Sequence, residues 1–420
     1  MKGGIDMNII NLTQTQFRNY SNIHNERNFG QTIEYSRLPI WEKEQKLYLG
    51  LIDDNENVCA ATLILIKEIS PKVKEAIAPD GFLIDYSNTS LVKTFTEELT
   101  IYLKKIKITY LITNPMFHLK TYNKYHTLIE NNSYILDNFY KLSYHSIGYR
   151  SEFERYDIIL TKKNKLYPLF NRNTKRNIKE SLNLGITLHK GSIKDINTFY
   201  EIIKKKTSNS YSYYYNLMNT FNTMDNKMEI FFAKLNPQTF LINMKKIYEK
   251  ELRKNEAIHK TIQNRMGKMT EKIYNKKINS DHMLEKYREL LNKAITLSTN
   301  NTDDIIVATS AIIRNNKEIY FLIDGYKEQY RFVHATYILK WAIIKKYAHL
   351  GYKTFNLGEI NQFYFNTNNK YHGQYMSKIG FGGDIIEYPP NLLLVINKPI
   401  YNIYTKYKQI KQKLINKVVK

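Results

Sequence analysis

The chain has 420 residues, 43% of them hydrophobic and 24% charged, which is enough apolar material for two or three domains and excludes wholesale disorder. A net charge of +24 (pI ≈ 9.5) draws the protein to polyanions, either nucleic acid or the anionic face of a membrane, although an AT-rich genome would also favour lysine together with Asn, Ile and Tyr. The single cysteine, Cys59, excludes an intramolecular disulfide and a cysteine zinc site and fits a reducing cytoplasm; within its apolar run it reads as a small core residue of a strand.

The start, Met1-Lys-Gly-Gly-Ile-Asp-Met7, lacks the apolar core of a signal peptide. No apolar stretch reaches the roughly 18–20 residues that span a bilayer. The expectation is a cytoplasmic protein, soluble or lying on a membrane without crossing it.

Residues 47–52 and 58–66 read as paired strands around the turn Asp53-Asp-Asn-Glu56. An amphipathic helix is expected over 91–105, and a strand over 110–113 ended by Asn114-Pro115. The grammar repeats: a strand at 156–160, a helix over 167–184 closed by Gly185, a strand at 186–189, a helix over 193–207 and a strand at 228–232.

Between 240 and 298 the pattern changes. There is no proline, and the only glycine is Gly267. Apolar residues fall at Leu241, Met244, Tyr248 and Leu252, then at Ile258, Ile262, Met266, Met269 and Ile273, with gaps of three and four inside each run. A polar break at Asn279-Ser280-Asp281 is followed by Met283, Tyr287, Leu291 and Ala294, which predicts two antiparallel helices forming an inserted arm. Strand and helix then return: a hairpin of 304–313 and 318–323 around Arg314-Asn-Asn316, a helix over 332–349 ended by Gly351, and a strand at 355–357. After Pro399, Ile403, Tyr407, Ile410, Leu414 and Val418 fall at helical spacing among Lys406, Lys408, Lys411, Lys413 and Lys417, a basic amphipathic helix.

Two constellations carry chemical information. On the helix expected at 167–184, Arg172, Lys175, Arg176 and Lys179 share one face, while Phe170, Ile178 and Leu182 share another. Four cations side by side repel each other unless a polyanion such as a phosphate backbone answers them; a plain solvated basic face is the alternative. In Tyr375-Met-Ser-Lys-Ile-Gly-Phe-Gly-Gly-Asp384, the glycines permit close backbone approach and Lys378 could steady a developing negative charge. The string lacks the P-loop pattern, and the acetyl-CoA pyrophosphate turn of ordinary N-acetyltransferases is missing.

In order along the chain, several segments resemble the FemABX family, in particular its arm-bearing FemA and FemB type. Phe29-Gly-Gln-Thr32 is similar to the family's F-x-Q-T, and Asp80-Gly-Phe-Leu-Ile-Asp-Tyr86 to its R-G-P-V-I-D-Y strand. Arg172-Asn-Thr-Lys-Arg-Asn177 resembles the family's basic run, and the 240–298 arm sits where the family's arm sits. Arg331 and the helix through Trp341 resemble the segment after the arm. Ser377-Lys-Ile-Gly-Phe381, Ile385-Ile-Glu-Tyr388 and Ile396-Asn-Lys-Pro-Ile-Tyr401 are the closest matches.

The resemblance implies an α+β (α/β layered) fold of two tandem GNAT-like domains with an inserted antiparallel coiled-coil arm. The expected domains are 1–150, then 151–239 with 300–398, the arm at 240–299 and the basic helix at 399–420. It implies transfer of an amino acid, glycine or another small residue, from aminoacyl-tRNA to the stem-peptide amine of a lipid-linked or UDP-linked peptidoglycan precursor. No cofactor and no metal is implied. Lys378 matches the family lysine assigned to the transition state or the tRNA end, with Asp384 and Glu387 as nearby acids. Gln31, Arg37, Tyr211, Tyr215 and Arg331 are placed at the precursor, and Arg172, Lys175, Arg176 and Lys179 at the tRNA. The arm has three candidate roles: binding tRNA, forming a homodimer, or docking a sister enzyme. The C-terminal helix is a candidate for peripheral contact with the inner membrane surface.

The chain departs from the family pattern in places. The family's precursor-binding lysine falls near Pro39, its Asp-Pro is Asn114-Pro115, and the aromatic before its lysine is Ser377. An arginine that some members carry near Thr207 gives way to Tyr211-Ser-Tyr-Tyr-Tyr215. The rival reading is a non-enzymatic member of the same fold that binds RNA or a membrane surface. A thioester-using acyltransferase is a further rival, opposed by the missing pyrophosphate turn.

Overall fold

A computed structural model describes residues 7–24, 29–162, 165–264, 267, 270–315 and 318–418, with 412–418 as backbone only. The strands, in chain order, are β1 (Asn8–Asn11), β2 (Gln45–Ile52), β3 (Val58–Ser70), β4 (Val73–Ala78), β5 (Tyr110–Thr113), β6 (Lys120–Tyr122), β7 (Leu128–Asn131) and β8 (Tyr144–Ser146). They continue with β9 (Tyr156–Thr161), β10 (Ile186–Lys190), β11 (Lys227–Leu235), β12 (Ile305–Arg314), β13 (Glu318–Tyr326), β14 (Thr354–Ile360), β15 (Asp384–Glu387) and β16 (Leu392–Val395). They form a seven-stranded sheet in the order β1-β2-β3-β4-β5-β16-β8 and a nine-stranded sheet in the order β10-β11-β12-β13-β14-β9-β15-β6-β7.

The expected hairpin of β2 and β3 is present, in register from Gln45↔Ile66 to Ile52↔Val58. Its turn closes because Asp53 Oδ1 accepts from the backbone N–H of Asn55 and Asn57, both at 2.9 Å. Cys59 lies on β3 but is only half-buried, so it is not the core residue expected.

Each sheet holds one parallel pair among its described ladders, β4 with β5 and β13 with β14, and a helix makes each crossover. The first crossover helix, Thr89–Lys105, is capped by Asn88 and buries Val92, Phe95, Leu99 and Leu103 at intervals of three and four. Each such fully buried side chain contributes about 1.5–3 kcal/mol. The second crossover helix is Ala335–His349, buried on several sides in the core of the larger sheet.

Sheet membership crosses the expected boundaries at 150 and 398. β6 and β7 leave the first unit to pair with β15 on the larger sheet, and β16 returns from the second unit to lie between β5 and β8. Short flanking strands thus cover sheet edges that would otherwise present unpaired backbone.

The expected 167–184 helix is broken. A single turn, Tyr167–Leu169, precedes the helix Arg172–Asn183, whose N-cap Asn171 accepts from Thr174 N at 2.7 Å. Its buried face is Thr174, Asn177, Ile178 and Ser181; Leu182, expected on the core side, is exposed. Ser181 satisfies its hydroxyl against Asn177 O and Val333 O, which is why a polar face can be buried there.

The arm consists of helices Pro237–Gln263 and Glu271–Asn300. Gln238 Nε2 donates to Ser298 O (3.0 Å) and Asn255 Nδ2 to Asp281 Oδ1 (2.7 Å), so the two helices run antiparallel. The reversal falls at 264–270, where Gly267 has φ +77°, and not at 279–281 as expected. Asn279-Ser280-Asp281 is polar because Ser280, fully buried, faces Asn255 and donates to Glu251, forming a polar layer inside the helix pair. Met266 and Met269 of the expected seam lie outside the described residues. The base of the arm is rooted in the larger core through Phe240, Met244 and Ala294.

The C-terminal helix Lys398–Val418 docks through Ile400, Tyr401 and Tyr404 on Val73, Tyr110 and Leu393. The stripe expected to be its apolar face points outward: Ile403, Tyr407 and Ile410 are 71%, 63% and 58% exposed. Among the described residues no helix is long and apolar enough to cross a membrane.

Candidate active site

β13 and β14 pair only from Glu318↔Thr354 to Tyr320↔Asn356, although β13 runs on to Tyr326 and β14 to Ile360. Beyond Tyr320 the two strands part, and the larger sheet opens into a V. A register shift between Asn356 and Glu359 and a left-handed Gly358 (φ +85°) bend β14 at this point. A Cβ on residue 358 would lie 2.9 Å from Phe321 O and 3.2 Å from Lys378 Nζ, so glycine is what lets both approach.

Lys378 sits in the last turn of the helix His372–Ile379 and donates from Nζ to Glu359 O at 2.6 Å. The glycine-rich turn after it serves backbone packing. Gly380 O accepts from Asn171 N (2.8 Å), a Cβ at Gly380 would clash with Thr174 Oγ1, and left-handed Gly382 lies against Leu169. The lysine-bearing helix is therefore clamped onto residues 169–174, the head of the basic helix.

Burial and the neighbouring Lys340 pull the Lys378 ammonium down to about 8, opposed by Asp157, Asp324 and Glu359. Lys340, itself buried, pairs with Asp324 (2.6 Å), which also accepts from Ser310 Oγ (2.6 Å). Burial alone would raise Asp324, but Lys340, Ser310 and Lys378 hold it low. This ion pair keeps a second fixed cation beside Lys378.

Across the next ladder, Glu359 of β14 is in register with Asp157 of β9, so two carboxylates share one face of the sheet. Asp157 is buried and accepts from Asn356 Nδ2 (2.7 Å) and Tyr388 Oη (3.4 Å). Glu359 reaches solvent, yet the surrounding protein and then Asp157 push it up to about 7. Glu318, near the foot of the V, is likewise raised to about 7 by burial and Asp157.

The first unit closes over this face. Asp80, with φ +57°, accepts from Gly30 N (2.6 Å) and Asn114 Nδ2 (3.1 Å), and its charge acts on Glu359, Asp157 and Tyr320. Met116 packs with Ile159, Ile386 and Tyr388. The segment carrying Phe29 and Leu38 joins the other unit, with the Phe29 and Phe221 rings stacked at 4.8 Å.

The structure disperses the other site residues read from sequence. Gln31 is fully buried; its amide donates to Leu63 O and Pro79 O and accepts from Leu63 N, which spends it on backbone. It holds the N-terminal segment in place and leaves no group for a ligand. Arg37 is exposed and donates to Gln14 (2.7 Å). Tyr211 and Tyr215 are exposed and stacked on the helix Tyr211–Thr220, at 6.0 Å between centroids. Arg331 is exposed and pairs only loosely with Glu328 (3.3 Å). Arg172, Arg176 and Lys179 line the open face of the basic helix, while Lys175 turns back to Pro168 O (2.9 Å) over the Tyr167 ring. Glu387 is buried against Arg155 and Tyr122, which makes it a structural acid; Asp384 opens β15 opposite Ile159.

Sequence reasoning missed Glu359, Asp157, Lys340 and Asp324. The one local signal was Phe355-Asn-Leu-Gly-Glu359, a strand interrupted by glycine, which marks a bulge or a close approach. The remaining residues meet only through sheet register and through the packing of the helix Ala335–His349 on the sheet.

A family model described as the FemAB family matches residues 12–409. The aminoacyltransferase FemA of Staphylococcus epidermidis is 25% identical over 426 residues, covering 97% of this chain and 100% of that protein. FemA of Staphylococcus aureus is 24% identical over 429 residues, with the same coverage. A crystal structure of FemX superposes with a TM-score of 0.71 at 14% identity, covering 94% of this chain and 99% of the other. At that identity the likeness establishes the fold.

Proposed function

We propose, because this chain belongs to the FemAB family, that it transfers an aminoacyl group from aminoacyl-tRNA to an amine on the stem peptide of a peptidoglycan precursor. The observation that carries this reading is Lys378, a cation of lowered pKa planted where the larger sheet splits and clamped to the head of the basic helix. The similarity to proteins named aminoacyltransferase FemA supports the reaction class.

The chemistry asks for positioning and for charge stabilisation. An aminoacyl ester is already activated, and attack by an amine builds negative charge on the carbonyl oxygen. Lys378 Nζ spends one N–H on Glu359 O and keeps two to donate to that oxyanion. Beyond Tyr320, β13 lacks β14 as a ladder partner, so its backbone offers donors and acceptors to an extended ligand in the V. Arg172, Arg176 and Lys179 would hold the tRNA backbone, and Gly380 and Gly382 tie that surface to Lys378. Glycine, or another small residue, is the amino acid proposed for transfer. Tyr211, Tyr215, Arg37 and Arg331 are the exposed groups proposed for the precursor. Gln31 acts by positioning, since it orders the segment that delivers Gly30 to Asp80.

A peripheral contact with the cytoplasmic leaflet is proposed for the C-terminal helix, whose outward Ile403, Tyr407 and Ile410 are flanked by Lys406 and Lys411.

The test is a transfer assay. Purified protein and its Lys378→Ala variant are mixed with radiolabelled aminoacyl-tRNAs and either lipid-linked or UDP-linked stem peptide. Label on the peptide from wild type, reduced about 10²–10³-fold in Lys378→Ala with tRNA affinity kept, supports the reading. Tight tRNA binding with no transfer to any acceptor would replace it with a non-enzymatic RNA-binding member of the family.

A further inference from the structure

We propose that Glu359 is the general base that takes the proton from the attacking amine, working opposite Lys378 across the mouth of the V. This rests on the aminoacyl-transfer reading above and adds to it a residue that neither the sequence motifs nor the comparisons single out.

Placement is the first argument. Glu359 follows the bend at Gly358, and its own carbonyl receives the Lys378 ammonium at 2.6 Å. The backbone of one residue thus holds the cation, while its carboxylate lies within the field of that cation without pairing to it. A group stabilising the oxyanion and a group accepting the amine proton must lie within one substrate's span, and this juxtaposition supplies both.

The second argument is the pairing with Asp157. The two carboxylates face each other across β14 and β9, but their environments differ. Asp157 is buried and bonded to Asn356 and Tyr388; Glu359 opens to solvent. Two neighbouring carboxylates resist joint ionisation, and burial raises both; Glu359, the one that opens to solvent, is brought to about 7 by burial and by Asp157. Every group facing it bears on this value: Lys378 lowers it, whereas Glu154 and Asp80 raise it further, and the phenols of Tyr213 and Tyr320 lie within its field. Glu387 has no such freedom, since Arg155 and Tyr122 occupy its carboxylate.

The step balances. The acceptor nitrogen forms the N–C bond to the ester carbonyl and its proton passes to the Glu359 carboxylate. The C=O electron pair moves to oxygen beside Lys378. On collapse the C–O bond to the ribose breaks, and the ribose oxygen takes the proton back from Glu359. The base is regenerated, and no oxidant or reductant is needed.

The experiment is the pH dependence of single-turnover transfer, between about pH 5.5 and 9, for wild type, Glu359→Gln and Glu359→Asp, with tRNA affinity measured in parallel. Glu359→Gln removes a like charge opposite Asp157, so it should fold at least as well as wild type. The expected result is a wild-type rate that rises with pH through about 7. Glu359→Gln should lose about 10²–10⁴-fold and that limb, with tRNA affinity intact. Glu359→Asp, which keeps the carboxylate but withdraws it by one methylene, should retain the limb at a reduced rate. A Glu359→Gln rate within threefold of wild type, with the same limb, overturns the base assignment while leaving the transfer activity standing. Wild type that transfers nothing from any donor overturns the activity itself, and the base assignment with it.

Discussion

Replacing Gly358 by alanine should disable the site through geometry alone, and the structure provides its own control. Gly358 and Gly351 both sit at positive φ, +85° and +94°. An alanine in the left-handed region costs about 1–2 kcal/mol wherever it occurs. At Gly351 a Cβ meets nothing within 4 Å, so only that backbone cost applies. At Gly358 the Cβ would stand 2.9 Å from Phe321 O and 3.2 Å from Lys378 Nζ. Both contacts must be relieved, the tighter one against backbone and the other by a shift of the flexible lysine tip. Moving it gives up the hydrogen bond to Glu359 O, worth about 1.5–3 kcal/mol for a charged donor. Gly351→Ala should therefore lose about 1–2 kcal/mol in urea unfolding, and Gly358→Ala that amount plus the lost hydrogen bond, about 2.5–5 kcal/mol. Gly358→Ala alone should lose transfer, by about 10–100-fold if the displaced ammonium forfeits a comparable part of its hold on the oxyanion. Affinity for tRNA should be unchanged in both, because the basic helix is untouched. Equal transfer rates in the two variants would refute the claim that Gly358 exists to admit Lys378.

The double variant Arg172→Ala, Arg176→Ala should weaken tRNA binding and flatten its dependence on salt. Each lost phosphate contact takes about 0.7–0.9 off the log–log slope, so an unchanged slope would exclude these arginines from the interface. The raised carboxyls Glu318 and Glu359 also make a statement about stability. Their folded values of about 7 lie above the ordinary glutamate value of 4.5, so between these pH values the folded state binds more protons than the unfolded. Stability is fully present below that window and is lost as pH rises through it. Urea unfolding at pH 5, 6, 7 and 8 should show wild type falling relative to Glu318→Gln, Glu359→Gln; parallel profiles would contradict the shifts. Lys378 has the opposite sign, since its folded value of about 8 lies below 10.5, and it should add stability as pH rises between the two. Finally, Ile403→Asp with Tyr407→Asp should abolish co-sedimentation with phosphatidylglycerol vesicles while leaving the melting temperature unchanged. Equal binding by the variant would remove the C-terminal helix from the membrane contact.

Local pattern carried much of the fold. The β2–β3 hairpin was legible because alternating apolar runs flank an Asp-rich turn, and the arm because its apolar residues recur at three and four positions. The same reasoning misplaced the reversal of the arm, because Ser280 and Asn255 satisfy each other inside the helix pair, whereas Gly267 supplies the positive φ that a turn needs. It assigned Leu182 to the core because a periodicity cannot say that a face made of Thr174, Asn177 and Ser181 will be buried. It set Gln31 against a ligand, where the structure turns the side chain inward to bond the backbone of β3 and of the Pro79 loop.

What the sequence determined by itself was the α+β class, the presence of an arm, the cationic helix face and Lys378 beside a glycine-rich turn. These are properties of neighbours along the chain, set by residue type and by a spacing of two or three to four. Tertiary structure alone decided that β13 and β14 part beyond Tyr320, that Lys378 enters the gap, and that Glu359 faces Asp157 while Lys340 binds Asp324. It also decided that β6, β7 and β16 change units. Those outcomes depend on sheet register and on how the helices carrying Lys340 and Lys378 pack on the sheet, which join residues far apart in the chain, and a shift of one position would turn Glu359, Asp157 or Asp324 to the opposite face.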